Sequence, residues 1–357
     1  MFGRQPLPRP GTDEARALEK RIAASTTTER HDIARLHGVS YGGLLNWRTR
    51  CKRHSLPQIQ PPRDSSLSEH FRVCRELDGL IEPHFRTQAE LSVRIETQLP
   101  VAVVHTADWH MGESGCDYDQ LEADLAVMST EPGLYVALGG DAYSNIIQPS
   151  KIGSSHNQAP IAVQKAMYVL AVKQLQDSGH LLFAGTGNHP YWTALATGED
   201  WDLELARRLR IVYTKHGALV NIVVGDMLYP EFWEHKGKYG SSFNQTHGPK
   251  QSQRVFHPNA RIVVREHQHI GDVEQYRYDN RECVAARTGT YVLYSDYAAQ
   301  NGLYGAHVCN PTVVLYPDRD WLVGFKHHTD AIIYLRAIRA EYEKDGKGKA
   351  DEHVTPA

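Results

Sequence analysis

The sequence predicts an α/β (α+β) protein: a two-sheet β-sandwich flanked by helices, preceded by a small all-α domain. Three observations carry this. Short apolar runs at 101–104 (VAVV), 133–138 (GLYVAL) and 180–185 (HLLFAG) read as buried strands, and they alternate with helical segments. From about residue 218 the chain turns β-rich, through ALVNIVVGDMLYPEFWEHKG, ARIVVREHQHI, VEQYRY, ECVAARTGTYVL and TVVLYP. Before residue 54 the patterns are helical throughout.

Composition narrows the class. The chain has 357 residues, 41% apolar and 23% charged, as expected of a globular protein with two or three domains. It contains no apolar run long enough for a transmembrane helix, so no membrane partner is expected. The N-terminus lacks the apolar stretch of a secretory leader. Five scattered cysteines (51, 74, 116, 283 and 309), with no CxxC pair, argue against a disulfide framework and for a reducing cytoplasm. Cys116 lies close to the motif described below, but no pattern supports it as a nucleophile. Charge is unevenly spread: residues 1–63 hold 12 Lys/Arg against 5 Asp/Glu, and the remainder 27 against 37. Contact with a polyanion would therefore begin at the N-terminus.

Taken in order, residues 1–11 are rich in Pro and Arg and are expected to be disordered. A helix begins at a Thr12 or Asp13 cap, a second spans about Thr28–His37, and a third runs from a Ser40 cap to about Arg53. Gly38-Val39-Ser40 makes the turn between the last two. Ile33, Leu36, Val39, Leu44, Leu45 and Trp47 are the candidate core of this 12–54 domain. It resembles a helix-turn-helix unit, in which Arg48, Arg50, Lys52 and Arg53 would neutralise DNA phosphates. The other reading of the module is packing, including assembly of a homo-oligomer. The Pro/Ser-rich stretch 55–66 is the expected linker. The main body, 67–330, would open with a helix capped at Ser66 or Ser68 and stopped before Pro83. An edge strand at 91–97 and helices at 117–130 and 160–179 follow. Residues 331–357 would form a C-terminal helix and a disordered tail.

The strand ends carry the chemistry. Asp108-Trp109-His110 follows VAVV; Gly140-Asp141 follows the second strand; Gly187-Asn188-His189 follows the third. His235 closes an apolar stretch, with His247 as its competitor, and His267-Gln268-His269 comes last. Carboxylate oxygen and imidazole nitrogen together suit divalent metals. Trp109, Trp192 and Tyr191 lie beside these motifs, where aromatic rings either stack on bases or pack the sheet edge. Lys236 and Lys238, just past His235, either meet phosphate or face solvent.

Over residues 95–315 this order of motifs resembles the calcineurin-like metallophosphoesterase superfamily, whose pattern is DxH, GDxxD, GNH[DE], a His, then GHxH. The intervening text and the N-terminal module are similar to phage or prophage members. The resemblance implies a four-layer metallophosphoesterase β-sandwich flanked by helices. It also implies two divalent metal ions, Mn²⁺ foremost, with Fe, Zn²⁺ or Ni²⁺ as alternatives. Asp108, His110 and His269 would hold one ion, and Asn188, His235 and His267 the other. Asp141 would bridge both and position the hydroxide that attacks phosphorus. His189 would be the catalytic histidine that is not a ligand. Three positions depart from the pattern: Ser144 for the second Asp of GDxxD, Pro190 for the acid of GNH[DE], and Glu266 for the Gly of GHxH. With the basic module in front, DNA phosphodiester hydrolysis is the expected activity. Phosphomonoesterase action, small-molecule or cyclic-nucleotide phosphodiesterase action, and a DNA-binding or structural protein with little turnover are the alternatives.

Overall fold

A computed structural model describes residues 6–10, 12–55, 66–69, 71–76, 90–147, 157–241, 243–300, 305–346 and 353–356. The chain divides into two compact units, Met1–Arg86 and Thr87–Ala357.

In the first unit, helices α1 (Asp13–Ala24), α2 (Thr27–Leu36) and α3 (Tyr41–Ser55) surround one small core. Each starts where a hydroxyl can cap it. Thr12 accepts from the Ala15 N–H, Thr26 and Glu29 form a reciprocal capping box, and Ser40 Oγ accepts from the Gly43 N–H at 3.0 Å. Gly38, at φ 67°, supplies the left-handed turn between α2 and α3. The core consists of Ala15, Ile22, Ile33, Ala34, Leu44, Trp47 and Cys51, with Val39 packed against it. Leu36 is not part of it: the side chain is 47% exposed, because it lies off the helix face set by Ile33 and Ala34. The expected N-terminal disorder also fails at Leu7 and Pro8. Leu7 packs on the core, and the Pro8 carbonyl accepts from Trp47 Nε1 at 2.8 Å, satisfying an indole N–H that would otherwise be buried unpaired.

Arg48 forms an ion pair with Glu19 of α1 at 3.2 Å, whereas Arg50 is exposed. Lys52 and Arg53 lie on α3, but their side chains are outside the described residues. Residues 67–69 and 71–76 are helical and start at Ser66, whose N–H donates to Glu69 Oε2 at 2.8 Å. They fall in the first unit and do not lead the second. The linker residues 56–65 and the stop expected before Pro83 lie outside the described residues.

The second unit is built on two sheets. The five-stranded sheet has the order β11 (Leu322–Phe325), β10 (Thr312–Leu315), β2 (Val101–Thr106), β3 (Leu134–Leu138), β4 (Leu181–Ala184). The seven-stranded sheet has the order β12 (His353–Pro356), β1 (Glu90–Glu96), β5 (Gly217–Val224), β6 (Met227–Glu234), β7 (Ile262–Arg265), β9 (Arg281–Arg287), β8 (Asp272–Tyr278). Period-two alternation sends Val101 and Val103 of β2 into the core between the sheets, with Val220, Ile222, Ile262, Val264, Val284 and Ala286 opposite them. Ala102 and Val104 face the other way, into a second core shared with helices α4 (Tyr118–Met128), α5 (Ile161–Asp177), α7 (Trp201–Leu209) and α9 (His328–Lys344). On the far side of the seven-stranded sheet, α8 (His247–Phe256) packs against β7 and β9. Helix α6 (Asn188–Thr197) begins just after β4.

Two features differ from the expectation. Residues 353–356 are not a disordered tail but strand β12, antiparallel to β1 with Ile95 opposite Val354. The open edge of β1 offers unpaired backbone groups, and Pro356 is tolerated there because an edge strand needs only half its N–H groups. Helix α8 is a second element that the sequence pattern does not predict. The sheet topology places the site: β2, β3 and β4 run parallel, as do β6, β7 and β9, so every motif of interest emerges from a C-terminal strand end.

One ionic contact crosses the core between the sheets. His105 of β2 donates from Nε2 to Glu231 Oε2 of β6 at 2.9 Å, and both side chains are fully buried. Burial disfavours the charged imidazole, yet the Glu231 charge outweighs it and raises the His105 pKa above the ordinary 6.5. The stabilisation this gives is therefore fully present below that value and is lost as pH climbs through the raised one. Glu231→Ala should cost about 3–5 kcal/mol in urea unfolding, because it strands a buried imidazolium. A loss below 1 kcal/mol would show that the pair does not tie the sheets together.

Candidate metal centre

Five strand ends deliver the side chains. Asp108 (φ 52°) and His110 (φ 48°) follow β2, Asp141 (φ 53°) follows β3, and His267 (φ 76°) and His269 (φ 60°) follow β7. All five have left-handed backbone, which costs of order 1–3 kcal/mol per residue and persists only where the surroundings enforce it. Here the loops hold one another. The Asp108 N–H donates to the Gly140 carbonyl at 2.9 Å and the His110 N–H to the Asp141 carbonyl at 3.0 Å. Thr290 Oγ1 donates to the Asp108 carbonyl at 2.7 Å. Asp and His tolerate this conformation better than most residues.

Three groups of ligand-type atoms result, each within 4.8 Å: Asp108, His110 and His269; His110, Asp141 and His189; Asp141, His235 and His267. His110 Nε2 lies 3.1 Å from His269 Nε2, and His235 Nε2 lies 3.1 Å from Asp141 Oδ2 and 3.2 Å from Asn188 Oδ1. All seven residues proposed as ligands from the sequence are thus at one place. His247 starts α8 and joins none of these groups.

The two carboxylates show what the site is built for. Asp108 Oδ2 accepts from the His267 N–H at 2.9 Å, and Asp141 Oδ1 accepts from the His189 N–H at 2.8 Å. Their second oxygens, Asp108 Oδ1 and Asp141 Oδ2, are buried and carry no hydrogen bond. A buried anionic oxygen without a hydrogen bond is costly unless positive charge faces it. Nearby imidazoles face these atoms without forming aligned hydrogen bonds. Hard or borderline divalent cations fit this donor set of carboxylate oxygens, imidazole nitrogens and one amide oxygen. Gly187 lets the loops meet, since a Cβ there would lie 2.0 Å from Asp141 Oδ1.

His189 sits at the start of α6, and its Nδ1–H donates to the Ser144 carbonyl at 2.5 Å, so Nε2 is left free of that proton. Asn145 Nδ2 donates to the His189 carbonyl at 2.6 Å and fixes it from the other side. Of the two departures near this residue, Ser144 turns its side chain to Glu113, donating from Oγ to Oε2 at 3.1 Å, and Pro190 falls in the first helical turn, where its missing N–H costs nothing. Trp192 lies against the His189 ring with centroids 4.2 Å apart. Trp109 is fully buried and donates to Thr106 Oγ1 at 2.6 Å, so it packs the sheet and offers no stacking face.

Charge explains which groups ionise. Burial pushes the Asp141 carboxyl up, but His235 and His189 outweigh it and hold it below the ordinary range. Burial, reinforced by His110 against the opposing pull of Asp141, takes His189 down to about 4. Burial together with the His235 charge takes His267 down to about 4. Both rings are therefore neutral at pH 7, as metal ligation or proton exchange requires. Cys116 is unsuited to nucleophilic attack. Burial, then Glu113 and Asp117, push its thiol up to about 12, and Sγ donates to the Trp109 carbonyl.

No protein-family model matches this sequence, and no curated protein matches it.

Several residues that shape the site were not singled out from the sequence. Glu266, noted there only as a replacement for glycine, is buried with its carboxylate at His235. Glu113 accepts from Ser144 Oγ at 3.1 Å and lies 3.4 Å from His110 Nδ1. Asp202, at the start of α7, accepts from Thr186 Oγ1 at 2.5 Å and Tyr143 OH at 2.9 Å, joining the loops after β4 and β3. None of the three has a distinctive local signal; Asp202, for one, sits among the acids Glu199, Asp200 and Glu204.

Burial pushes the Asp202 carboxyl up to about 6, despite the two hydroxyls that pull it down. A raised acid favours the folded state fully below its ordinary pKa of 3.8, and the benefit is lost as pH rises through about 6. The amount is on the order of 3 kcal/mol for a group this buried. Asp202→Asn should flatten the pH dependence of unfolding free energy across that window. A variant with the parental slope would remove Asp202 as its source.

Proposed function

We propose that the chain is a metal-dependent phosphoesterase of the calcineurin-like type, holding two divalent cations and acting on DNA phosphodiesters. The observation that supports it best is the pair of buried carboxylates, each fixed through one oxygen by a backbone N–H and facing only imidazoles with the other, among histidines from the ends of β2, β4, β6 and β7. Asp108, His110 and His269 would hold one cation and Asn188, His235 and His267 the second, with Asp141 between them. The resemblance puts Mn²⁺ first; this mixed N/O set equally suits Fe, Zn²⁺ or Ni²⁺, and availability decides among them. When bound, such a pair supplies an activated water and neutralises the charge that develops on phosphorus.

The chain's own residues do the rest. Asp141 keeps its unpartnered oxygen facing both halves of the site. His189, neutral and with Nδ1 tied to Ser144, presents Nε2 beside Asp141 and His110. From there it would stabilise the phosphoryl charge and return a proton to the leaving oxygen. Trp192 limits the swing of that ring. The strained loops are preorganised, so little rearrangement is needed as charge develops.

DNA as substrate rests on the basic first unit. Arg50 is exposed on α3 and is the contact we assign first, with Lys52 and Arg53 beyond it. Arg48 is engaged by Glu19. That ion pair favours the second reading, a phosphomonoesterase, to the extent that it removes one phosphate contact.

Mn²⁺-dependent digestion of single- and double-stranded DNA, run beside a model phosphodiester and a phosphomonoester, tests the assignment. Asp141→Ala should lose paired metal by elemental analysis and fall to background activity. His189→Ala should keep its metal and turn over about 10²–10⁴-fold more slowly. Metal loss in the His189 variant would move that residue into the ligand set, and faster cleavage of the monoester would favour the second reading. Arg50→Ala should reduce the salt dependence of DNA binding by about one unit of slope; an unchanged slope would detach α3 from DNA.

A further inference from the structure

We propose that Glu266 is a positioning residue for the metal centre. It fixes His235 so that the group Asp141, Asn188, His235 and His267 forms the tighter of two cation positions. This rests on the metal-centre part of the reading above and not on hydrolysis.

Glu266 uses both carboxylate oxygens. Trp233 Nε1 donates to Oε1 at 2.5 Å, while the Gly140 N–H and His235 Nδ1 donate to Oε2 at 2.8 and 2.9 Å. The side chain is 1% exposed. The neighbouring backbone is shaped for it: a Cβ on Gly139 would lie 1.6 Å from Oε1, so this carboxylate requires glycine at 139. Because Glu266 accepts the Nδ1 proton, His235 presents Nε2 towards Asp141 Oδ2 and Asn188 Oδ1. A carboxylate behind a ligating imidazole sets its tautomer, fixes its plane and increases its basicity. The same carboxylate ties the Asp141 loop to β6 through Gly140 and Trp233. One anion thus aligns two ligands of one cation.

The other group is supported more loosely. His110 Nδ1 makes no hydrogen bond; Glu113 lies 3.4 Å away, but its Oε2 accepts from Ser144 Oγ. The His269 ring is 31% exposed. The two groups offer similar ligand atoms, yet only in one is an imidazole, that of His235, hydrogen-bonded to a carboxylate before a cation arrives. Freezing a ring that is already fixed costs nothing on binding, so affinity follows the support.

Titration calorimetry of the full chain with Mn²⁺ alone provides the test. The parent should bind in two steps of different affinity. Glu266→Gln keeps the side-chain shape but not the charge, and it cannot accept from Trp233 and His235 together. It should weaken the tighter step roughly 10–100-fold and leave the weaker one in place. Trp233→Phe removes a donor to Glu266 without touching His235, and both steps should survive. Equal weakening of both steps in Glu266→Gln, the same loss of the tighter step in Trp233→Phe, or a single class of site in the parent would each overturn the proposal. A second measurement needs no variant. Nitrogen-15 spectra of the Cd²⁺-loaded parent should place the metal on His235 Nε2 and the proton on Nδ1, and a proton on Nε2 would overturn it. None of these readouts involves turnover, so loss of the hydrolysis reading and loss of this one are separable.

Discussion

Asp108 and Asp141 each give one oxygen to a backbone N–H of a motif distant in sequence and keep the other for the centre. This division of labour is the constraint on which the site depends. The fixed oxygen joins the loops after β2, β3, β4 and β7, and the left-handed backbone of the same loops cannot relax while it is fixed. The free oxygen makes the result incomplete without positive charge. Geometry and electrostatics thus come from the same two side chains.

The two-sheet body explains why these loops can meet. Parallel β2, β3 and β4 send their motifs out at one end of the five-stranded sheet, and β6 and β7 do likewise in the other sheet. The apolar core between the sheets sets the distance between the two sets of strand ends. His105 and Glu231 place a charged contact inside that core, on the strands that lead to Asp108 and His235. Burial of charge, usually a cost, here fixes one sheet against the other at the level where the residues of the candidate centre begin.

Much of this was legible in the sequence because it is local. Apolar runs bounded by Gly or Pro mark β2, β3 and β4, and the polar residues just beyond them are the ones that converge. Thr12 and Ser40 announce their helices by chemistry that acts three residues away. What could not be read depends on distant partners. β12 exists because β1 has an open edge more than 250 residues earlier. Leu7 and Pro8 are ordered because Trp47 needs an acceptor. Glu266 looks like a lost glycine until Trp233, His235 and Gly140 are seen around it, and the glycine that accommodates it, Gly139, lies in a different motif.

The fixed oxygen of Asp108 has a consequence for the life of the molecule. Its partner, the His267 N–H, is 159 residues away in the chain. A contact of such separation closes a long loop and carries the corresponding entropy cost. A cation that needs both sides of this contact has nothing comparable to bind in the unfolded chain. By mass action, a cation held there would draw the population towards the folded form, and its supply would add to the persistence of the fold. The ion would be the keystone of an arch: the last piece placed, and the one whose removal loosens stones on both sides.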